Sequence, residues 1–263
     1  MTEFWIALIA KAVATALIVV AATAAAEKSG PFWGGLISCL PVSAGPAYVL
    51  LAIQHDPEFV SSAALSSLAS NISTWFYLLT FATLLARRHG VPVGLAGAFG
   101  VWLVLILAIR ALNLGLTAAL LGSLLAFWIA IRFAPKTDFI MPSAQMAARK
   151  WFELPLRAAA VGIFVAVLVT VSDAIGPTST GIAAVFPIAL SSLGIFTHRR
   201  LGSAGAAAAL VSAMRPLLGI AMALCIVYLA TPQWGSAIGL TAGLAASLAW
   251  PLFLVVYRKN PAN

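Results

Sequence analysis

The sequence predicts an all-α polytopic membrane protein of nine transmembrane helices, built as two inverted four-helix repeats joined by a linker helix, a 4+1+4 chain. Three observations carry this reading. Of 263 residues, 62% are hydrophobic and only 8% charged, and the mean hydropathy is +1.05, whereas a soluble domain carries about a quarter charged residues. That balance excludes an ordinary soluble fold, a disordered chain and a nucleic-acid module. Apolar runs long enough to cross a bilayer recur along the chain, and a framework of charged, Gly and Pro residues is written twice at one spacing.

Taken in order, the runs are 4–26, 32–54, 59–86, 92–109, 112–133, 154–175, 176–197, 203–230 and 236–257, each bounded by charge or by Gly and Pro. The first run ends in ATAAAEK, a stretch like a small-residue cleavage site. Its start, MTEFW, has an acid and no base, and Lys11 interrupts the apolar core. A leader peptide has the opposite signature, so the run is expected to be a retained span. The one long connection, 134–153, has an amphipathic second half suited to the membrane surface. The organisation is therefore repeat 1 (1–111), a linker helix (112–133), a cytoplasmic amphipathic linker (134–153) and repeat 2 (154–263).

Basic residues test the count of spans. Nine spans place Lys28, Arg87, Arg88, Arg132, Lys136, Arg149, Lys150, Arg199, Arg200, Arg258 and Lys259 on one side, and Arg110 alone on the other. Cytoplasmic loops collect Lys and Arg. The N-terminus is thus expected outside and the C-terminus in the cytoplasm of a bacterial inner membrane. The net charge of +8 reflects this topology, so no nucleic-acid partner is expected. Cys39 and Cys225 lie in separate apolar runs and read as small packing residues.

The repeat is ungapped. At an offset of 146, Lys11 meets Arg157, Glu27 meets Asp173, Gly30-Pro31 meets Gly176-Pro177, Gly35 meets Gly181 and Pro41 meets Pro187. Trp102-x7-Arg110 also matches Trp250-x7-Arg258. The run beginning at 112 has no counterpart. One unmatched span between two four-span copies inverts the second, the arrangement of many secondary transporters, although duplication also builds a stable bundle without transport.

The intramembrane lysine, the acid closing the first run and the proline-broken LISCLP of the second resemble the GlpM-like small bacterial membrane proteins. The resemblance covers each repeat and implies a fused pair of four-span units. It supplies no substrate, because that family has no established biochemical activity. The chain departs from a plain pair in having Arg157 where the first copy has Lys11, and in Arg215, which has no basic equivalent in the third span.

Pro41 and Pro187 fall near the centres of matched spans, and Pro46 and Pro216 are further candidate breaks. A proline in a helix frees the carbonyl four residues earlier. Matched interruptions point to a transporter's central site, or to a packing kink. Arg215 lies mid-span, where a guanidinium suits a carboxylate or phosphate. Lys11 and Arg157 join it as candidate anion ligands. The third span is polar along one side through Ser70, Asn71, Ser73 and Thr74, and Ser212 lies at similar depth in the eighth. Such a stripe serves either helix packing or a wet pathway wall. Under inversion, Lys11 with Asp173 and Glu27 with Arg157 form candidate outer and inner gates.

No HExxH, no paired carboxylates and no GxSxG elbow occur, so neither an enzyme nor a cofactor or metal site is expected. The expected function is transport of a small anion or anionic amphiphile by alternating access, in a monomer or homodimer within the lipid bilayer. Two rivals stand beside it, a non-transporting scaffold assisting envelope or polysaccharide assembly, and a lipid flippase.

Overall fold

A computed structural model of the chain describes residues 44–137 and 153–259, together with Ile6, Ile9, Ala10, Val13, Ala14 and Leu17. Among the described residues there are helices and no strands. The helices are α1 (Ala44–Gln54), α2 (Pro57–Ala86), α3 (Val91–Leu112), α4 (Leu116–Phe133), α5 (Glu153–Ala184), α6 (Ile188–Met214) and α7 (Leu217–Lys259). Helices α2, α3 and α4, and the run Ala158–Leu254 within α5 to α7, are long and apolar enough to cross a membrane.

Local chemistry sets the boundaries. Asp56 Oδ1 accepts the Phe59 N–H at 2.8 Å and caps α2. The chain leaves α2 through Arg88, at φ 62°, and re-enters helix at Val91-Pro92, where proline's missing N–H costs nothing. Asn113, at φ 44°, ends α3 in the left-handed conformation that Asn tolerates better than most residues. Pro46 sits in the first turn of α1 and leaves that helix intact.

Helices α5, α6 and α7 each turn sharply at one glycine. Gly176, Gly202 and Gly235 have φ of 74°, 69° and 83° with ψ close to ±180°, a backbone region essentially reserved for glycine. Two further interruptions stand at 185–187, ending in Pro187, and at Arg215-Pro216. The sequence ends its seventh run at 197 and its eighth at 230. The helices instead continue to the turns at Gly202 and Gly235, the second of them running through Pro232.

The residues form two compact units, and each draws on both halves of the sequence. The first takes the described residues up to Ser67 with Ala158–Ala184 and those from Pro216 onward; the second takes Leu68–Arg157 and Val185–Arg215. In the first, α1 lies against α7, and Gly181 of α5 packs directly on the Ala63 carbonyl of α2. Ser67 Oγ donates to Gly181 O at 2.6 Å. Its proton is thereby committed, so Tyr48 OH is the donor to Ser67 Oγ at 2.6 Å.

In the second unit α6 lies against α3 and α4. The buried residues of α4 are Ala119, Ser123, Ala126 and Ala130, while Leu121, Leu124, Leu125 and Trp128 are exposed. In α3, Gly94 and Ala98 are buried while Leu103, Val104 and Leu107 are exposed. On α4, small residues lie inside and large apolar residues outside, the pattern helices use to approach closely in lipid; α3 also buries Trp102 and Ile106.

A methyl on Gly181 overlaps a backbone carbonyl rather than a flexible side chain. Gly181→Ala is expected to cost about 1–3 kcal/mol of stability. Gly100→Ala, which meets nothing within 4 Å, should leave stability unchanged or raise it by up to about 1 kcal/mol. Thermal unfolding of the two purified variants side by side checks the difference.

Candidate functional site: buried donors beside an interrupted helix

The site is built wholly within the second unit, around the break at 185–187. Pro187 is the N-cap of α6, and no side chain caps the helix. Ile188 N–H reaches Phe186 O at 2.8 Å and Ser191 N–H reaches Pro187 O at 2.9 Å. The N–H groups of Ala189 and Leu190 thus stand in an uncapped first turn, the positive end of the helix dipole. Aromatic rings hold the break in place. Phe186 stacks on Phe99 of α3 with centroids 5.4 Å apart and meets Trp102 edge-on at 5.2 Å. Tyr77 of α2 closes the group against Phe99 at 5.1 Å.

The register of α2 against α6 follows from one bond. Ser191 Oγ donates to Pro187 O at 2.6 Å, so Tyr77 OH donates to Ser191 Oγ at 2.8 Å. One turn further along both helices, Phe81 lies against Gly194, so the two run in parallel. Counting back from Tyr77 and Ser191 at 1.5 Å per residue, Thr74 comes level with Ile188, where α6 begins, and Asn71 lies about one turn further back along α2. At 100° per residue, Ser70 and Thr74 lie on the same stripe of α2 as Tyr77 and Phe81, and Asn71 about a quarter-turn aside.

These polar residues are buried, and most have nothing to bond. Thr74 is 3% exposed and Asn71 1%, yet Ser70 Oγ, Asn71 Nδ2 and Thr74 Oγ1 have no hydrogen-bond partner among the described residues. The indole N–H groups of Trp75 and Trp102 are in the same position. Ser73 differs, since its hydroxyl donates to Ser70 O at 2.6 Å. An unpaired buried donor costs about 1–3 kcal/mol, and such groups in a native fold call for an explanation. The orphans share a character: amide and indole N–H groups only donate, and the hydroxyls are free to do so. No carboxylate side chain is described in this unit, and its described charged side chains are all basic. The arrangement can take an acceptor-rich ligand.

Other sequence candidates fall elsewhere. Arg215 is exposed at the junction of α6 and α7, and Ser212, one turn before it, is exposed with its hydroxyl bonded back to Ala208 O at 2.8 Å. Asp173 is exposed in α5 and faces His55. Arg157 belongs to α5, but its side chain lies outside the described residues, as do Lys11, Glu27 and Pro41. Among the described residues no three His, Cys, Asp or Glu side chains come together as metal ligands. The sequence reading missed Trp75, Trp102, Phe99 and Phe186. Tryptophans in mid-run, away from the interfaces they favour, were the available signal for two of them.

No family model, curated protein or solved structure matches the chain.

The Tyr77–Ser191 bond is the tie nearest the break. Tyr77→Phe is expected to lower stability by about 0.5–1.5 kcal/mol, the net worth of one hydrogen bond, while Ser191 keeps its bond to Pro187 O. Thermal unfolding of the purified variant measures the loss.

Proposed function

We propose that the chain is a membrane transporter for a small anion or an anionic amphiphile, and that the ligand binds at the interruption before α6. The reading rests on one observation: Thr74, a buried donor without an acceptor among the described residues, stands level with an uncapped helix N-terminus, with Asn71 a turn behind it, in a unit with no described carboxylate. A helix N-terminus with free N–H groups favours negative charge, and hydrogen bonds to a charged partner are about twice as strong as neutral ones. Arg215, exposed at the α6–α7 junction apart from these donors, has a separate part in this reading: its charge draws the anion towards the protein.

The larger frame belongs to the same proposal. It comprises nine spans in a 4+1+4 inverted repeat, a tandem GlpM-like origin, an outside N-terminus in a bacterial inner membrane, and alternating access relating the two copies. Lys11–Asp173 and Glu27–Arg157 serve in it as gates, each closing while the other opens.

The test combines binding and flux. Phosphate, sulfate, small carboxylates and anionic lipid head groups are screened for thermal stabilisation of the purified protein, since a ligand of the folded state raises its apparent stability. Thr74→Val removes an orphan hydroxyl at nearly constant volume. It should leave the unliganded protein as stable as before, or up to about 1 kcal/mol more so, and weaken the best anion by about tenfold. Arg215→Ala should abolish uptake into proteoliposomes and leave folding intact. Stabilisation by no anion, or equal affinity in Thr74→Val, overturns the reading.

The gates are tested by charge reversal. Lys11→Glu and Asp173→Lys should each lose most uptake, and the double variant should regain it. Independent, additive losses exclude that pair.

A further inference from the structure

A second cluster of polar side chains lies in the first unit, where α1 gives way to α2. His55 follows the last residue of α1, and its N–H is bonded to Leu51 O at 2.8 Å. Its ring is sandwiched in place by Phe59, with centroids 3.7 Å apart and planes 6° from parallel. On the other side stands α5. His55 Nε2 lies 2.7 Å from Ser172 Oγ, and His55 Nδ1 lies 3.5 Å from Asp173 Oδ1. The imidazole is 6% exposed and the Asp173 carboxylate 89%.

Donor bookkeeping fixes where the protons sit. Ser172 Oγ donates its one hydrogen to Val169 O at 2.7 Å. It can offer His55 only a lone pair, so Nε2 carries the hydrogen and donates. In the neutral ring Nδ1 is then the bare nitrogen. That bare nitrogen faces a carboxylate oxygen, and neither atom brings a proton to the contact. Two acceptors so placed repel, and one proton between them turns the contact into a charge-assisted N–H···O bond.

We propose that His55 and Asp173 form a proton-binding site, in which a single proton taken up from solvent is held between Nδ1 and Oδ1. Each partner has a distinct part. Ser172 and Phe59 fix the ring's tautomer and plane. Asp173, nearly fully exposed, is the route by which the proton enters and leaves. Binding ties the α1–α2 turn to α5 three residues before the Gly176 turn, so occupancy of the site bears on the helix joint that leads to α5's short arm. The other titratable groups on the elements around His55 are Asp56 and Glu58 at the start of α2, and Cys225 and Tyr228 among the described side chains of α7. Asp56 is committed to capping Phe59 N–H. The proposal stands on this geometry alone and is independent of whether the protein transports an anion.

The chain has three histidines, His55, His89 and His198, so ¹⁵N-histidine labelling of the full-length protein in lipid nanodiscs isolates the site, with His55→Gln assigning its signals. At about pH 8 the His55 signals should show a protonated Nε2 and a bare Nδ1, and acidification to about pH 5 should protonate Nδ1. Asp173→Asn, at an exposed position where folding is not at stake, should leave the protonated Nδ1–H without its carboxylate partner and move that proton's signal upfield. Ser172→Ala should let the opposite tautomer appear at the alkaline end. A bare Nε2 in the alkaline wild type, or an Nδ1–H signal unchanged in Asp173→Asn, overturns the proposal.

Discussion

A helix interrupted among apolar neighbours sets amide and carbonyl groups loose where no bulk water can satisfy them. The break ahead of α6 is where this constraint bears hardest, and the surrounding residues answer it in part. The hydroxyl of Ser191 takes up the Pro187 carbonyl, and the tyrosine behind it secures the serine. Rings of α2 and α3 close on Phe186 and hold the break open in one conformation. The Pro187 carbonyl accepts from both the amide and the hydroxyl of Ser191, while the first amides of α6 have no side-chain cap.

The same device appears in both units, worked differently. Tyr48 donates to Ser67, whose hydroxyl goes to a carbonyl of α5; Tyr77 donates to Ser191, whose hydroxyl goes to a carbonyl at the head of α6. In one relay the serine belongs to α2, in the other to α6. Each spends a serine proton on backbone and recruits a buried phenol to complete the serine. Polar groups in low dielectric have to be joined in this way or they destabilise the fold.

Much of this framework is legible in the sequence, because it follows from single residues with strong local consequences. Pro187 and Pro216 end helices for want of an N–H, and Gly176 opens a turn that few other residues adopt. The hydroxyl stripe of α2 can be read from its spacing. What cannot be read is which of its members is satisfied. Ser67 and Thr74 look alike in sequence, but one meets a carbonyl and the other meets no partner among the described residues, and only packing decides. The meeting of His55 with Ser172 and Asp173 is equally hidden, since more than a hundred residues separate them and no spacing rule joins them. Depth alone places Arg215 among interior groups. Its exposure is fixed by the local path of the chain at Arg215-Pro216.

The glycine turns in α5, α6 and α7 carry a mechanical implication. A connection one residue long has no slack, and its whole freedom is rotation about two bonds of a residue without a side chain. Each joined pair of helical arms therefore behaves as a lever on a pin, not as two rods on a string. An arm of about 18 residues is about 27 Å long, so a swing of about 10° at the pin carries its far end about 5 Å. Small torsional changes at Gly176, Gly202 or Gly235 are thereby magnified into displacements the size of a helical turn.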